Sequence, residues 1–557
     1  MTAEQPATTA QSTRPPGAAA FRWLLIVGAA GLVAMGVFFR VWKLDHIAGL
    51  NSDEAWYGIK AREVLHGESN GWLTPTNNPI NPLYFLPVLA LHAAFDPSIA
   101  LLRTAAVLSG LAALGANFWF CRRLLGMRLA VITTTALAVL PICITNSRFG
   151  WDPSQIVLVD VFVVYPIIAA LQGRNPRKSM LWAAVALGAS LIVHPSNIFI
   201  APLLAVAALR LWGRQVVGVL DPRGKWTHWL PCYLAATAAV ALVCWKGEQW
   251  VSRAVAQATR PGDAPAFALH VSRVYSGVTT FRFLAGSGFG NDVSEQDAGL
   301  PGGDDAVVGL EFMSVDGIAL WIAPVTLICL IVPLARGHIR WEATFFVGYL
   351  LGLVAFFLVG GTAITDPGYE RYSLWLVLPG VVLGCRAWEV GVCEGRPKML
   401  PAAAGIAGLA LGGTLLWSIH TNYFRFIEQS GGEGHRAFRT GVIDPKQAAL
   451  NQILAASPAG AEIYVAASET WIYRPVNYLA QADDRVQVIE LPKTDMGPAI
   501  DALLQQNNVW FVEFTDSVQH LAIREFLRSR GKRWRESLLL DAANRPVITL
   551  LHVTEGG

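Results

Sequence analysis

The stretch that decides the fold is Phe21–Val41, FRWLLIVGAAGLVAMGVFFRV, followed shortly by Leu50-Asn51-Ser52-Asp53-Glu54-Ala55-Trp56-Tyr57. The apolar run is long enough to cross the hydrocarbon core of a bilayer, about 30 Å thick, as one helix. It is too long for the apolar part of a signal peptide, so we interpret it as an uncleaved first transmembrane helix. Asp53 and Glu54 therefore lie just beyond a helix end, which indicates a polar site at the membrane surface.

The composition is typical of a polytopic α-helical membrane protein. Of the 557 residues, 53% are hydrophobic and 15% are charged. Apolar residues recur in runs of about 20, the length that one transmembrane helix needs. The formal net charge of +3 is too small to indicate a nucleic-acid partner. About 11 transmembrane helices are predicted. After the first, they lie near 101–121, 129–145, 155–172, 180–193, 196–212, 228–246, 316–335, 341–361, 372–390 and 399–419.

One apolar stretch, Pro82–Phe95, is short for a full crossing, and it decides the orientation of every later helix. If it is a juxtamembrane helix, most basic residues of the short loops collect on one side, which the positive-inside rule places in the cytoplasm. The short loops of the other side hold only Arg148 and Arg371. The cytoplasmic set is Arg122, Arg123, Arg128, Arg174, Arg177, Lys178, Arg210, Arg214, Arg223, Lys225, Arg336, Arg340, Arg386, Arg396 and Lys398.

Three parts follow from this assignment. Residues 1–20, rich in Thr, Pro, Ala and Gln, are predicted to be a disordered cytoplasmic N-terminus. Residues 21–419 are predicted to form a transmembrane module with outer loops 42–100 and 247–315. The seven cysteines lie in apolar spans or beside them, so neither a disulfide framework nor a zinc pattern is expected.

The third part, residues 420–557, is predicted to be a soluble α/β domain on the outer, periplasmic side. Glu462–Ala467 and Val509–Phe514 have the pattern of buried strands. Ala499–Gln506 and Val518–Gly531 have the pattern of amphipathic helices.

Ionisable residues near helix ends on the outer side are the candidates for chemistry. A carboxylate can take the proton of an acceptor hydroxyl, and an arginine can hold a departing phosphate through charge-assisted bonds. Carboxylates beside arginines on one membrane face therefore suit transfer from a phosphate leaving group. The candidates are Asp53 and Glu54 in the first loop, Arg148 and Asp152 in the second, His194, and Asp366, Glu370 and Arg371 before Tyr372.

Each candidate also has a structural interpretation. Asp53, or the serine before it, would cap the helix that follows. Asp152 would cap the next span in the same way. Arg148 and Arg371 could simply reach lipid headgroups, although both depart from the loop-charge rule and a specific role is favoured. His194 precedes a proline at a turn, which favours a structural role.

Four short motifs follow one another along the first 152 residues. They are Asp-Glu-Ala-x-Tyr-x-x-x-Ala-Arg from Asp53 to Arg62, Asn81-Pro82-Leu83-Tyr84, Arg103, and Ser147-Arg148-Phe149 with Asp152. In this order they resemble the GT-C superfamily of polyprenyl-phosphate-sugar-dependent glycosyltransferases. Within it the likeness is closest to the protein O-mannosyltransferase and lipid A aminoarabinose transferase group. It covers about residues 21–200 by motif and the rest by architecture only.

This resemblance implies roles for the matching positions. Asp53 is expected to be the catalytic base, and Asp152 to approach the same cavity. Glu54 is the second acid of the pair, but adjacent helical residues point about 100° apart, so a different task is expected for it. Arg371, beside Tyr372, is the first choice for the donor phosphate, and Arg148 the second. Tyr57, His194 and Arg103 are the further residues expected to line the cavity.

Two positions depart from the family pattern. The stretch Asn78–Leu83 lacks the His or Lys that often precedes the proline motif, so that role cannot be transferred. Asp152 is followed by Pro153 and not by an Asp-x-Asp motif, so no metal and no other cofactor is expected.

The implied activity is transfer of one sugar from an undecaprenyl- or dolichyl-phosphate carrier to a hydroxyl of a protein, lipid or envelope glycan. The resemblance further implies direct inverting displacement. The expected location is the bilayer of a bacterial inner membrane, with the active site facing the periplasm. A transporter or flippase for lipid-linked saccharides is the alternative, and it would need charged or broken helices near the bilayer midplane. A signalling receptor would need a cytoplasmic output module, which the sequence does not reveal.

Overall fold

The computed structural model describes residues 16–47, 49–68, 72–75, 79–219, 341–360, 370–393, 399–425, 428, 444–515, 517–540, 544 and 546–554. Within them, six helices are long enough and apolar enough to cross a membrane, as expected of an integral membrane protein. The six are Trp23–Val41, Ile99–Leu125, Asp152–Leu171, Pro195–Gly213, Leu374–Gly391 and Met399–Trp417.

The predicted total of about 11 spans stays a prediction. The spans at 228–246 and 316–335 and the loop 247–315 lie outside the described residues. Shorter apolar helices occupy Pro82–Ala94, Met127–Val139 and Trp341–Phe356.

The helices of the membrane part are α1 (Pro16–Val41), α2 (Ser52–Leu65), α3 (Pro82–Ala94), α4 (Ile99–Leu125), α5 (Met127–Val139), α6 (Pro141–Asn146), α7 (Ile156–Leu171), α8 (Pro176–Val193), α9 (Ala201–Val219), α10 (Trp341–Gly360), α11 (Val377–Trp388) and α12 (Met399–Ile419). Short 3₁₀ turns occupy Asp152–Gln155, Pro195–Ile200 and Glu370–Leu376, and π-helical turns occupy Glu389–Cys393 and His420–Arg425. α4 packs against α5 and α7, α7 against α8, and α9 against α10.

Two boundaries differ from the sequence prediction, and proline explains both. α1 begins at Pro16, so the end of the predicted disordered stretch 1–20 is helical. Proline suits the first turn of a helix, where its missing N–H is not needed. The single span predicted at 129–145 is two helices, because Pro141 forces Leu140 into an extended conformation (φ −62°, ψ 121°) between α5 and α6.

α3 is 13 residues long, which gives about 20 Å of helix, less than the bilayer core. Asn81 caps it by accepting a hydrogen bond from Leu83 N at 3.1 Å, and Pro82 occupies its first turn. α3 packs against α2 and α4. Its length is shorter than a full crossing needs, and its placement as a juxtamembrane helix stays a prediction.

The C-terminal domain, residues 444–554, is a five-stranded sheet with helices on both faces. Its strands are β1 (Ile463–Ala467), β2 (Val486–Glu490), β3 (Val509–Phe514), β4 (Arg533–Leu540) and β5 (Pro546–Thr554), in the order β2-β1-β3-β5-β4. Its helices are α13 (Pro445–Ala456), α14 (Thr470–Ala480), α15 (Gly497–Leu503) and α16 (Val518–Ser529).

The central strand, β3, has apolar side chains on both faces of the sheet, so both faces must be covered by helices. β2, β1 and β3 are parallel, while β5 is antiparallel to both β3 and β4. Every residue of β3 is buried, as its nearly continuous apolar sequence VWFVEF requires. α13 and α14 cover one face and α15 and α16 the other. The two strands and two helices predicted from sequence are present. β3 has the predicted bounds, and the bounds of the other three elements differ by at most three residues.

Candidate functional site

The N-terminus of α2 is capped in a way that leaves Asp53 out of the capping role. Asn51 is the N-cap, and its side chain accepts a hydrogen bond from Asp53 N at 2.7 Å. Glu54 completes the capping box, because its Oε2 accepts from Asn51 N at 3.1 Å. The structural interpretation in which Ser52 or Asp53 caps this helix is therefore wrong.

Asp53, Tyr57 and Asp152 lie together, and we call them the acidic group. Both aspartates are half-buried and Tyr57 is buried. Burial raises the pKa of the Tyr57 phenol well above its usual value, and the nearby charges of Asp152 and Asp53, with a hydrogen-bond interaction from Asp152, raise it further. The phenol is therefore a neutral donor near two carboxylates. The prediction that Asp53 and Asp152 serve one catalytic site stays a prediction.

Asp152 begins the turn Asp152–Gln155 that leads into α7. Trp151 is the N-cap of that turn, and no side chain caps it. The capping interpretation of Asp152 is therefore not supported. Gln155, at the other end of the turn, donates to Leu83 O at 2.9 Å and accepts from Asn81 Nδ2 at 3.0 Å. These bonds fix the turn against α3, and sequence reasoning missed the glutamine because its partners are more than 70 positions away.

Glu54 and Arg103 form a fully buried ion pair. Arg103 donates from Nε to Glu54 Oε1 and from Nη2 to Oε2, both at 2.9 Å, and it also donates to the carbonyls of Leu44 and Gly49. Gly150 N, in the loop that carries Asp152, donates to Glu54 Oε1 at 2.5 Å. With Asn51 N, four donors bind the carboxylate, so its hydrogen-bond acceptor positions are filled within the protein.

Arg148 is buried against backbone carbonyls. It donates to Phe39 O at 2.6 Å, Lys43 O at 3.2 Å and Ile47 O at 2.6 Å, and it lies over the Phe424 ring at 4.7 Å. Burial lowers the pKa of this guanidinium to about 10. These hydrogen bonds hold the guanidinium against the end of α1 and the loop after it. Because both Nη atoms are bound within the protein, Arg148 is not favoured as a phosphate ligand. We call Glu54, Arg103 and Arg148 the buried frame.

His194 and Tyr372 contact each other on neighbouring turns. Their ring centroids are 5.4 Å apart, and His194 Nδ1 lies 2.7 Å from Ser196 Oγ. His194 also accepts from Ser196 N, so it caps the Pro195–Ile200 turn, in agreement with its structural interpretation. Arg371 lies in the Glu370–Leu376 turn, which packs against the Pro195–Ile200 turn. Its role at the donor phosphate stays a prediction.

Two ionisable residues inside membrane helices were missed. Asp160 is fully buried in α7, and neither carboxylate oxygen has a hydrogen-bond partner among the described residues. A lone carboxylate within an apolar run of nearly 20 residues was the signal available in the sequence. Arg40, buried near the end of α1, donates to the carbonyls of Leu137 and Ala138 at the end of α5. These bonds satisfy carbonyl groups at the end of α5, which Pro141 separates from α6.

No group of three or more His, Cys, Asp or Glu side chains in the described part of the chain could hold a metal ion. The expectation that the site works without a metal or another cofactor stays a prediction.

Comparison with solved structures decides the fold. ArnT from Cupriavidus metallidurans, in a crystal structure with bound undecaprenyl phosphate, is similar with a TM-score of 0.51 and 14% identity, over 95% of this chain and 98% of that one. The chain has the fold of this ArnT structure. The resemblance predicted from sequence is thus confirmed at the level of the fold.

Two further solved structures are similar to this chain. ArnT from the same organism in the apo state has a TM-score of 0.48 and 15% identity, over 96% of this chain and 98% of that one. The Archaeoglobus fulgidus oligosaccharyltransferase in the apo form has a TM-score of 0.47 and 13% identity, over 88% of this chain and 70% of that one. No protein-family model and no curated protein matches the chain.

Proposed function

We propose that the protein is a membrane glycosyltransferase that moves one sugar from a polyprenyl-phosphate carrier to a hydroxyl acceptor. The observation that carries the proposal is the acidic group. Two half-buried carboxylates and a buried phenol meet just beyond the end of α1, in a chain with the GT-C fold. The similar ArnT structure contains undecaprenyl phosphate, which supports a polyprenyl phosphate as the leaving group.

In this mechanism Asp53 is the general base. The acceptor hydroxyl gives its proton to the Asp53 carboxylate while its oxygen forms a bond to the anomeric carbon of the sugar. The bond between that carbon and the phosphate oxygen breaks, and the polyprenyl phosphate leaves with the electron pair. Such positioned proton transfer contributes about 10²- to 10⁴-fold to the rate.

Asp152 and Tyr57 act beside the base. The neutral Tyr57 phenol interacts with Asp152 and lies near Asp53, and in this mechanism its hydroxyl holds the Asp152 carboxylate in place. Asp152 faces the same space and orients the acceptor by accepting a hydrogen bond from it. The buried frame keeps the two loops in register through the Gly150 N to Glu54 bond.

The donor phosphate requires a cation that the buried frame does not offer, because the donors of Arg103 and Arg148 bind groups within the protein. Arg371 supplies this cation. It is the neighbour in sequence of Tyr372, whose ring contacts His194. An arginine suits the role because its planar fork can hold two phosphate oxygens at once. The site faces the periplasm of a bacterial inner membrane, on the side where the C-terminal domain lies.

A transporter for lipid-linked saccharides is the second candidate, and Asp160 is the observation that favours it. This carboxylate lies inside the Asp152–Leu171 span and has no partner among the described residues. Buried ionisable groups within membrane helices often mark a transport pathway. The acidic group at the helix ends has no role in that alternative, which makes transfer the better account.

A panel of radiolabelled polyprenyl-phosphate sugars tests the proposal. Purified protein in sealed proteoliposomes is expected to release polyprenyl phosphate from at least one donor and to label a hydroxyl acceptor. Movement of label across the bilayer without cleavage of the donor would support the transporter instead.

Calorimetry then tests the phosphate site. Arg371→Ala is expected to weaken donor binding severely and Arg371→Lys moderately, because lysine keeps the charge and loses the planar fork. Arg174→Ala is the matched control, since Arg174 donates to the carbonyls of Arg123 and Leu124 in a different loop. Equal donor affinity of wild type and Arg371→Ala would reject the assignment.

A further inference from the structure

The C-terminal domain contacts the helix that carries the acidic group. α14 of that domain packs along α2. The closest approach is at Gly58, the residue after Tyr57, where a Cβ atom would lie only 2.2 Å from Tyr478 Cε2 and 2.5 Å from Cδ2. Only a residue without a side chain fits there, so the glycine is required by the packing of Tyr478.

Tyr478 is itself held on three sides. Its side chain is fully buried, and its hydroxyl donates to Ser98 O, at the N-cap of α4, at 3.0 Å. The same hydroxyl lies 3.0 Å from His92 Nε2 near the end of α3. One side chain of the C-terminal domain therefore touches α2, α3 and α4 at once.

A second contact secures α2 one turn further along. Arg62 Nη1 donates to Gln481 O at 2.7 Å, just after α14 ends, and Arg62 Nη2 lies 3.6 Å from Asp484. At the other end of α2, Leu50 N donates to Asp444 Oδ2 at 2.5 Å. The domain thus contacts the chain before the segment that carries Asp53 and Tyr57, at Leu50, and after it, at Gly58 and Arg62.

α2 is too polar to insert into the membrane, so its position depends on contacts with the rest of the protein. It contains Asp53, Glu54, Lys60, Arg62 and Glu63 in 14 residues, so it is not a membrane-spanning helix. Its apolar residues pack on α3, as in the edge-to-face contact of Tyr57 and Tyr84 at 4.9 Å. The other face of the helix, at Gly58 and Arg62, is covered by α14.

We propose that Tyr478 is a positioning residue: by packing on Gly58 and binding Ser98 O, it fixes the direction of α2 and therefore the location of Asp53 relative to Asp152. The catalytic part of this inference rests on the proposed transferase function. A shift of about 1 Å in a reacting group can reduce a rate by about 100-fold. The C-terminal domain is thus a structural part of the active site, although it contributes no residue to the acidic group.

Two variants test the inference, each with a matched control. Gly58→Ala places a methyl group against the Tyr478 ring, and Tyr478→Phe removes the bond to Ser98 O. Gly188→Ala is the control for the first, since a Cβ there meets open space in α8. Tyr464→Phe is the control for the second, since the Tyr464 hydroxyl binds exposed Glu462 in the same domain.

The expected result is a loss of turnover with donor binding retained. Gly58→Ala is expected to lower kcat by about 10- to 100-fold and Tyr478→Phe by a smaller factor, with the donor Kd unchanged and both controls at wild-type turnover. Adding Tyr478→Leu to Gly58→Ala removes the clash and is expected to recover part of the lost kcat. Folded variants with wild-type kcat, or a double variant no better than Gly58→Ala, would overturn the inference.

Hydrogen exchange gives a readout that does not depend on catalysis. Amides of residues 52–65 are expected to exchange faster in Tyr478→Phe than in wild type, while those of α8 exchange at the same rate. If wild type transfers no sugar, the proposed function fails while faster exchange still supports the positioning of α2. If exchange in α2 is the same in wild type, Tyr478→Phe and Gly58→Ala, the positioning role of Tyr478 is rejected whatever the enzyme's activity.

Discussion

The acidic group and the buried frame are neighbours on the same two loops, yet their surroundings are opposite. Asp53 and Asp152 are half-buried and share the space around Tyr57. Glu54 and Arg103 are fully buried, and every hydrogen-bonding position of the Glu54 carboxylate is filled. Two consecutive acids, Asp53 and Glu54, therefore have different tasks. Asp53 is accessible enough to react with a substrate. Glu54, whose hydrogen-bonding positions are all filled, holds the structure.

The largest effect on stability is expected from Glu54→Gln. Losing one member of a buried ion pair leaves Arg103 uncompensated and costs about 3–5 kcal/mol. Chemical unfolding in detergent would measure the loss. Glu63→Gln is the matched control in α2, because its pair with Lys60 is partly exposed and contributes at most about 0.5 kcal/mol. Equal stability of the two variants would contradict the description of the frame.

Glu513 in β3 sharpens the comparison, because it is a buried carboxylate whose donors are incomplete. Its Oε1 accepts from Ser468 N at 2.6 Å, while Oε2 has no partner among the described residues. Burial raises the pKa of Glu513 to about 7, from an ordinary value of 4.5.

The folded state therefore binds more protons than the unfolded state between these two values. Its stability is expected to fall as pH rises from about 4.5 to about 7, by at most about 1.4 kcal/mol per unit, and then to level off. Unfolding of the full chain from pH 4 to 8 would show this slope reduced in Glu513→Gln and unchanged in Glu490→Gln, whose side chain is exposed. The same slope in both variants would reject the titration of Glu513.

Arg148→Lys tests whether Arg148 belongs to the frame. Lysine keeps the charge but cannot reproduce the fork that binds three carbonyls, so a loss of about 1–2 kcal/mol in unfolding free energy is expected. Donor affinity measured by calorimetry is expected to stay at the wild-type value. A fall in donor affinity as large as that of Arg371→Lys would move Arg148 into the phosphate site.

The smallest effect is expected from Asp160→Leu. Replacing a buried carboxyl that has no partner among the described residues removes a desolvation cost, and a gain of about 1 kcal/mol in stability is expected. Turnover should be unchanged, because Asp160 is not part of the acidic group. A folded variant that loses its activity would show that the membrane interior takes part in function and would favour the transporter.

Much of the fold could be read from the sequence, since apolar runs determine spans by length alone. The exceptions depend on single residues, such as Pro141, which splits one predicted span into α5 and α6. In the C-terminal domain, the amphipathic pattern revealed α16 and the apolar run revealed β3. β5, PVITLLHVT, carries a buried apolar run like that of β3, so a local signal for it was present and was missed. Its pairing with β4, Ser537 with Leu550 for example, is a tertiary choice that no local pattern specifies.

The candidate site was predictable only in part. The order of motifs predicts Asp53 and Asp152 in one cavity. Both carboxylates influence the pKa of Tyr57, so both lie near that phenol, while their common role stays a prediction. The choice of Asn51 over Ser52 or Asp53 as the cap depends on side-chain geometry within one turn. The roles of Glu54 and Arg148 depend on partners about 50 to 110 positions away, which a single sequence does not identify.

The central claim is that Asp53 is the general base, and the turnover of Asp53→Asn tests it most directly. Asparagine keeps the shape of the side chain and cannot take a proton, so kcat is expected to fall by about 10²- to 10⁴-fold while the donor Kd stays unchanged. Asp45→Asn, an exposed aspartate in the same loop, should keep wild-type turnover. A folded Asp53→Asn protein that transfers sugar at nearly the wild-type rate would contradict the account.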